Sequence, residues 1–393
     1  MNRSRKQKIV YLIGTLDAGG AERQIIEVAS RVHPDLFETR LYCLHGGGPL
    51  ETLARERGVH LTMFHAFHRR NASIENASPI PFRRIRQFGA LYRYLRREQP
   101  DIVHCYMFAP SVYGGWAARL SGCAHIITSR RCLGYFKDGK ALLQMLENSV
   151  NRFSDRVLVN SLALRDDVLA RERISDEKIE LIYNGVDIER YAPQASNRAF
   201  VTHKKRELGI PDHAPVIGII ANLYRYKGHR EFIIAASEVR QHYPDARFLC
   251  IGREGNMEQE LQALIENYAL QQHVKLVGGV TNVEDWLQLI DIQVSASYEE
   301  GFSNVILEGM SSGKALVATH VGGTPEAILD NETGLLIPPK DPQALSQAIL
   351  RFLNAPAFAS RCRENAVKRV KEYFSMEKMI DKFEKLYCSL SAS

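Results

Sequence analysis

The chain is expected to fold as an α/β protein made of two Rossmann-like parallel-sheet domains, and three observations predict this. Short apolar, β-compatible runs alternate with stretches of helical period along all 393 residues. Parallel strands covered by helices on both faces read in this way. A chain of this length usually divides into two domains, and its 45% of hydrophobic residues can fill two cores. Residues 187–215 hold three prolines and no clear apolar period, the composition of an interdomain link.

Taken in order, strands are expected in the first half at 9–13, 39–44, 59–64, 101–106, 125–128, 156–159 and 179–183. The second half offers 216–220, 247–251, 274–277, 292–295, 315–318 and 335–337. Helical spacing lies between them, as where Ile25, Val28, Ala29 and Val32 line one face after the first strand. The expected domains are 1–190 and 191–372, followed by an amphipathic last segment, 373–393. No internal repeat or low-complexity tract interrupts them.

Composition narrows the function classes. The seven cysteines are odd in number and show no C-x-x-C spacing, which suggests neither a disulfide framework nor a zinc site and fits a reducing cytosol. Among thirteen histidines no H-E-x-x-H occurs, and His65 and His68 lack a third ligand. The opening residues are basic, but the apolar run after them is short, so they read as a first strand rather than a signal peptide. No run approaches the roughly twenty apolar residues of a membrane span.

The net charge of +6 is unevenly spread. Residues 1–193 hold 29 Lys+Arg against 21 Asp+Glu, and the remainder 22 against 24. Eight arginines fall between Arg69 and Arg97 with Glu75 as the one acid. No zinc-finger spacing or aromatic RNA-binding motif accompanies them, so nucleic acid is not the expected partner. Within that stretch Phe82, Ile85, Phe88, Tyr92 and Leu95 recur at helical spacing. An amphipathic helix explains this alone; the sharper reading is docking against anionic lipid headgroups.

Residues 298–326 carry the strongest chemical signal. Glu300 and Glu308 flank a Gly301-Phe302-Ser303-Asn304 turn that follows the apolar run 290–297. Ser303 is expected as a helix N-cap, with Val305, Ile306 and Met310 as the buried stripe behind it. Glu300 then lies in a loop and Glu308 in the second turn, with the helix's free N–H groups between them. A carboxylate accepts from sugar or ribose hydroxyls, and a helix N-terminus attracts phosphate. Together they suit a sugar nucleotide.

Other motifs follow strands in the same way. Gly19 and Gly20, before Glu22, form a loop whose backbone can approach phosphate or an acceptor without Cβ obstruction. It is neither G-x-G-x-x-G nor G-x-x-x-x-G-K-[ST]. Arg225 and Lys227 follow the strand at 216–220, where cations can neutralise a diphosphate. His104 ends the strand at 101–106, and Arg130 with Arg131 follows 125–128. Gly322-Gly323-Thr324-Pro325-Glu326 reads as a helix start, with Thr324 as N-cap and Pro325 in the first turn.

The run from Glu300 to Glu308 resembles the paired-glutamate motif of retaining glycosyltransferases of family 4. The resemblance extends through GGAER at 19–23, PDIVH at 100–104, NS at 160–161, YNGVD at 183–187 and ANLYRYKGH at 221–229, then VATHVGGTPE and TGLLIPPKD, ending at Asp341. It implies the glycosyltransferase-B arrangement: an N-terminal acceptor-binding domain and a C-terminal donor domain facing across a cleft, the last helix crossing back to the first. It implies transfer of a sugar from a UDP- or GDP-linked donor to a saccharide or lipid-linked acceptor, with configuration retained, in cell-surface polysaccharide or glycolipid synthesis.

The resemblance also implies roles. Lys227, with Arg225, would hold the diphosphate; Glu300 would contact the donor sugar and Glu308 the ribose. Gly301, Phe302, Ser303, Asn304, Val305, Gly19 and Gly20 would line the donor site, with His104 near the reacting centre and Glu22 and Arg130 on the acceptor side. Relatives usually carry an arginine where Asn222 or Tyr224 stands, and Arg225 is the nearest substitute. No cofactor or obligatory metal is expected. The expected location is cytoplasmic, at the inner face of the membrane if the arginine stretch docks there. The alternatives are a sugar-nucleotide 2-epimerase of the same fold and a non-catalytic nucleotide-sugar-binding subunit.

Overall fold

The computed structural model describes residues 5–64, 80–193 and 197–391. The chain divides into two compact units, the first running to Tyr183 and resuming at Glu377, the second covering Asn184–Met376.

In the first unit the order is β1 (Gln7–Ile13), α1 (Gly20–Arg31), β2 (Phe37–Cys43), α2 (Glu51–Glu56), β3 (His60–Met63), α3 (Ile80–Glu98), β4 (Ile102–Tyr106) and α4 (Phe108–Ser121). It continues with β5 (His125–Ser129), α5 (Ala141–Asn151), β6 (Arg156–Val159), α6 (Leu162–Arg171) and β7 (Ile179–Leu181). The strands form one parallel sheet in the order β3-β2-β1-β4-β5-β6-β7.

The second unit holds α7 (Ile188–Tyr191), α8 (Asn197–Glu207), β8 (Val216–Ile220), α9 (His229–His242), β9 (Arg247–Ile251), α10 (Glu258–Asn267), β10 (Val274–Gly278) and α11 (Val283–Leu289). Then come β11 (Ile292–Ser295), α12 (Asn304–Ser311), β12 (Ala315–Thr319), α13 (Thr324–Ala327), β13 (Leu335–Ile337), α14 (Pro342–Asn354) and α15 (Pro356–Tyr373). Its sheet is also parallel, in the order β10-β9-β8-β11-β12-β13. The last helix, α16 (Met376–Ser391), packs into the first unit, where Tyr387 meets the rings of Tyr11, Phe37 and His104.

Every expected strand is present. Ile9, Val10, Tyr11 and Leu12 are each 0% exposed, as are Ile102 and Val103. A parallel sheet covered on both faces buries successive side chains, so its strands read as continuous apolar runs. In each sheet the order reverses once, between β1 and β4 and between β8 and β11. Ligands of open α/β sheets collect at the carboxyl ends of such strand pairs.

Three expectations are corrected. The boundary falls at Tyr183/Asn184 rather than 190, and the supposed link contains α7 and α8. Residues 184–191 are built into the second unit: Val186 bridges Ser375, and Asn184 and Tyr191 bond to residues around α12. The second unit also runs to Met376 rather than 372.

The buried face of α3 is set by Gln87, Leu91, Tyr94 and Leu95, with Ile85 67% exposed, so the apolar stripe is rotated from the expected one. Gln87 turns inward because its amide donates to the Leu44 carbonyl. Arg69, Arg70, His65 and His68 lie outside the described residues.

The helix starts also differ. Ser303 sits at the N-cap of α12 without a side-chain capping bond, and Gly323 rather than Thr324 caps α13.

Candidate active site

In the second unit, three strand-end segments converge. Lys227 ends the 3-10 turn Arg225–Lys227 that follows β8. Its Nζ lies 2.6 Å from Glu300 Oε1, in the loop that follows β11, and Ser297 Oγ donates to the same oxygen at 2.8 Å. Two backbone features fix this meeting. Tyr298 N–H donates to the Tyr226 carbonyl at 2.7 Å. Gly228 holds φ +73°, and a Cβ there would collide with the Ala296 carbonyl oxygen. Burial opposes the Lys227 charge, but Glu300, with Tyr226 and Glu299, outweighs it and raises the lysine above its usual pKa.

The Glu300 loop is supported from below by the glycine pair. Gly322, at φ +47°, lies so close to the Glu300 carbonyl that no Cβ fits, and Gly323 N–H donates to the Gly301 carbonyl at 3.1 Å. On the other flank, Asn184 donates to the Phe302 carbonyl at 2.9 Å and to Asn304 Oδ1 at 2.7 Å. Phe302 packs against Phe374, and Val305 accepts from Gln293. Gly301, Phe302, Ser303, Asn304 and Val305 therefore lie together at the N-terminus of α12.

Glu308 is 9% exposed, and Tyr191 OH donates to its Oε1 at 3.1 Å. Tyr191 is itself fixed, its carbonyl accepting from Ser312 Oγ at 2.8 Å and from Gln288 at 3.3 Å. Arg190, paired with Glu284, lies over the Tyr191 ring. Tyr191, Ser297 and Asn184 were not singled out from sequence. The available signal was position: Asn184 belongs to the YNGVD run, and Tyr191 follows it within two turns.

Arg225 is a correction. Its guanidinium is 66% exposed and bonds Glu260 of α10 at 2.8 Å, apart from the Lys227–Glu300 pair.

The first unit corrects two further assignments. His104 is 0% exposed, its Nδ1 2.9 Å from Tyr387 OH and its Nε2 2.7 Å from Ser129 Oγ. Burial, with Arg131, holds its pKa well below the usual imidazole value. It is a packed, neutral core histidine because β4 is buried on both faces. Arg130 is 6% exposed and bonded to Glu172 and Asn151, with Glu147 at 2.9 Å. Lys137 completes this buried network by pairing with both Glu147 and Glu172. Burial pushes Glu147 up; at Glu172 burial is outweighed by Arg130, Lys137 and Asn151, which hold it well below the carboxylate range.

Arg131 takes the other direction, its guanidinium carbon 5.3 Å from the Tyr106 ring. Gly19 is the N-cap of α1, where a Cβ would strike the Glu22 carboxylate, and Gly20 opens the helix. Burial raises the Glu22 pKa, Asp17 adds to it and Arg131 opposes it.

Two parallel-sheet units of this connectivity define a glycosyltransferase-B fold. Solved structures agree: Anabaena Alr3699/HepE in complex with UDP-glucose superposes with a TM-score of 0.84 at 20% identity, covering 97% of this chain and 99% of that one. WaaG, a glycosyltransferase involved in lipopolysaccharide biosynthesis, gives 0.73 at 16% identity over 95% and 98%. At such identities the likeness shows the fold. In sequence, the model described as Glycosyltransferase Family 4 matches residues 18–190, and that described as Glycosyl transferases group 1 matches 200–369. The chain belongs to glycosyltransferase family 4.

Among its relatives, the D-inositol 3-phosphate glycosyltransferase of Corynebacterium glutamicum is 24% identical over 303 residues, 72% of each chain. The UDP-Gal:alpha-D-GlcNAc-diphosphoundecaprenol alpha-1,3-galactosyltransferase of Escherichia coli is 24% identical over 314 residues, 77% of this chain and 78% of that protein.

Proposed function

We propose that the enzyme moves a sugar from a UDP- or GDP-linked donor to a saccharide or lipid-linked acceptor with anomeric configuration retained, in cell-surface polysaccharide or glycolipid synthesis. The observation that carries this reading is the Lys227–Glu300 pair at the carboxyl ends of β8 and β11, beside the N-terminus of α12 and its Glu308. Lys227 and the helix terminus neutralise the diphosphate as charge grows on the leaving nucleotide. Glu300 accepts from donor-sugar hydroxyls and Glu308 from the ribose. With cation and helix dipole so placed, the reaction needs no obligatory metal. Front-face attack on the anomeric carbon, assisted by the leaving phosphate, requires no protein nucleophile.

Relatives support the substrate classes. The Escherichia coli protein is named for a UDP-linked donor and a lipid-linked diphosphate acceptor, the Corynebacterium one for D-inositol 3-phosphate, and Anabaena HepE was solved with UDP-glucose. Among the described residues no helix is long and apolar enough to cross a membrane. Arg84, Arg86, Arg93 and Arg96 are exposed on α3, and we propose that they meet anionic headgroups at the inner membrane face.

The test is incubation with UDP- and GDP-sugars, with and without lipid-linked saccharides, read by mass and by the NMR coupling of the new anomeric proton. An α-linked product from an α-linked donor supports the reading. Conversion of donor alone to its 2-epimer, or tight donor binding without turnover, would replace it with the corresponding alternative.

A further inference from the structure

We propose that the ring of Tyr226 is a positioning element for Lys227, holding its ammonium where it meets the diphosphate of the donor. The proposal rests on the donor reading above and adds a residue to it.

Tyr226 touches both halves of the Lys227–Glu300 pair, with two different parts of the residue. Its carbonyl accepts from the N–H of Tyr298 at 2.7 Å, two residues before Glu300. Its ring lies against Lys227, whose Nζ is 4.9 Å from the ring centroid. An ammonium within about 6 Å of an aromatic face is attracted by the ring quadrupole. The phenol stays neutral and so offers a face rather than a charge: burial raises its pKa, with Lys227 opposing.

The ring is also held. Tyr224 is stacked with it, the two planes 6° apart and the centroids 6.0 Å apart. The rings are 41% and 40% exposed, so a lone tyrosine here would turn freely, and the stack fixes the plane that Lys227 meets. The backbone closes the turn by itself, Lys227 N–H donating to the Tyr224 carbonyl at 2.9 Å. Replacing the Tyr226 side chain leaves these backbone bonds in place, and the ring can be tested alone.

Lys227 needs such a second contact. Its bond to Glu300 ends on Oε1, which already accepts from Ser297 Oγ. On the donor reading that carboxylate also receives sugar hydroxyls, which compete for the same lone pairs. They do not compete for the face of Tyr226. An ammonium carries three N–H donors. The ring fixes where they sit while Glu300 turns to the sugar and the phosphate oxygens arrive.

The experiment is calorimetric titration of the full chain with UDP and UMP, or GDP and GMP, whichever base the wild type binds. The ratio of the two affinities isolates the terminal phosphate, where Lys227 acts. Tyr226→Leu keeps apolar bulk without the aromatic face. It should narrow the ratio by about three- to tenfold, the scale of a partly buried cation–π contact. Tyr226→Phe keeps the face and should hold the ratio within about twofold. In a Lys227→Ala background Tyr226→Leu should narrow it no further, because the ring acts through the lysine. An unchanged ratio in Tyr226→Leu, an equal loss in Tyr226→Phe, or equal narrowing without Lys227 overturns the proposal. Should Tyr226→Leu not fold, Tyr226→Met takes its place with the same readings.

A second arm needs no nucleotide. Trace acetylation with acetic anhydride, read at Lys227 by peptide mass spectrometry, reports the neutral fraction of its amine. The ring favours the charged form, so Tyr226→Leu should speed acetylation of Lys227 by about threefold or more, and Tyr226→Phe should not. An unchanged rate in Tyr226→Leu overturns the proposal as well. Failure of the wild type to bind either nucleotide, or wild-type affinities in Lys227→Ala, would instead overturn the donor reading, and acetylation then still decides whether the ring holds Lys227.

Discussion

Lys227 Nζ and Glu300 Oε1 lie 2.6 Å apart although 73 residues separate them, and each hangs from a different strand of the second sheet. The pair presets both of the proposed donor contacts. Glu300 holds the lysine charged where burial would discharge it, and Lys227 fixes the carboxylate proposed to receive sugar hydroxyls. Lys227→Ala should lower kcat by about two to three orders of magnitude, the scale for removing a preorganised charge stabiliser. Arg225→Ala should leave turnover within about twofold, since an exposed ion pair such as Arg225–Glu260 contributes little. Steady-state kinetics at saturating donor check both, and a larger loss in Arg225→Ala would return that arginine to the site.

Glu308 should bind the ribose in the orientation that Tyr191 sets. Glu308→Ala should weaken nucleoside diphosphate binding by about 1.5–3 kcal/mol, the range for a hydrogen bond to a charged group. Tyr191→Phe should cost less, about 1 kcal/mol, because it frees the carboxylate without removing it. The sharper reading is selectivity: Tyr191→Phe should narrow the preference for UDP over 2′-deoxy-UDP, or the guanine pair if GDP binds. A folded Glu308→Ala with wild-type nucleotide affinity would sink the ribose assignment.

The fold was legible because both sheets are parallel and doubly covered, so strands such as residues 9–13 appear as unbroken apolar runs. The places of Lys227 and Glu300 were legible because each follows an apolar strand in its own short motif, and that of Glu308 because the helix α12 opens directly after the Glu300 loop. What escaped was direction. Arg130 and Arg131 are neighbours at a strand end, where successive side chains point oppositely. One enters the Glu147–Glu172 network and the other lies on Tyr106. In the tight turn Arg225–Lys227, a two-residue step likewise sends one cation to Glu260 and the other to Glu300. Tyr191 was invisible for another reason: its contact with Glu308 spans 117 residues and depends on how α7 packs against α12.

Gly322 is a position where only glycine serves. Its φ is +47°, and a Cβ would overlap the Glu300 carbonyl oxygen. Gly322→Ala should destabilise the second unit by about 1–3 kcal/mol through backbone strain. The displaced Glu300 loop should also lower kcat by roughly a hundredfold, as small misplacements of substrate-positioning groups do. Nucleotide affinity should change little, since Glu308 is held by α12 and Tyr191. Urea melts, kinetics and nucleotide titration on one variant check the three parts, and full activity would remove the glycine pair from the support of Glu300.

The second unit should lose stability in mild acid because of His229. It is 2% exposed, and its Nε2 lies 3.2 Å from the Ala221 carbonyl, which can only accept, so that nitrogen carries the proton. Burial lowers its pKa from 6.5 to about 4, with the Ala221 bond opposing and Lys227 assisting. Between those values the unfolded chain binds a proton that the folded one refuses, so stability rises with pH there. The contribution is fully present above pH 6.5, falls as the pH drops towards 4 and does not fall further below it. At roughly 1.4 kcal/mol per pH unit, the loss amounts to about 3 kcal/mol. Urea midpoints at pH 7, 5.5 and 4.5 should show this fall. His229→Gln, which keeps a donor for Ala221 but cannot titrate, should flatten it. An equally steep acid limb in that variant would assign the loss elsewhere, His104 in the first unit being the next buried neutral imidazole to replace.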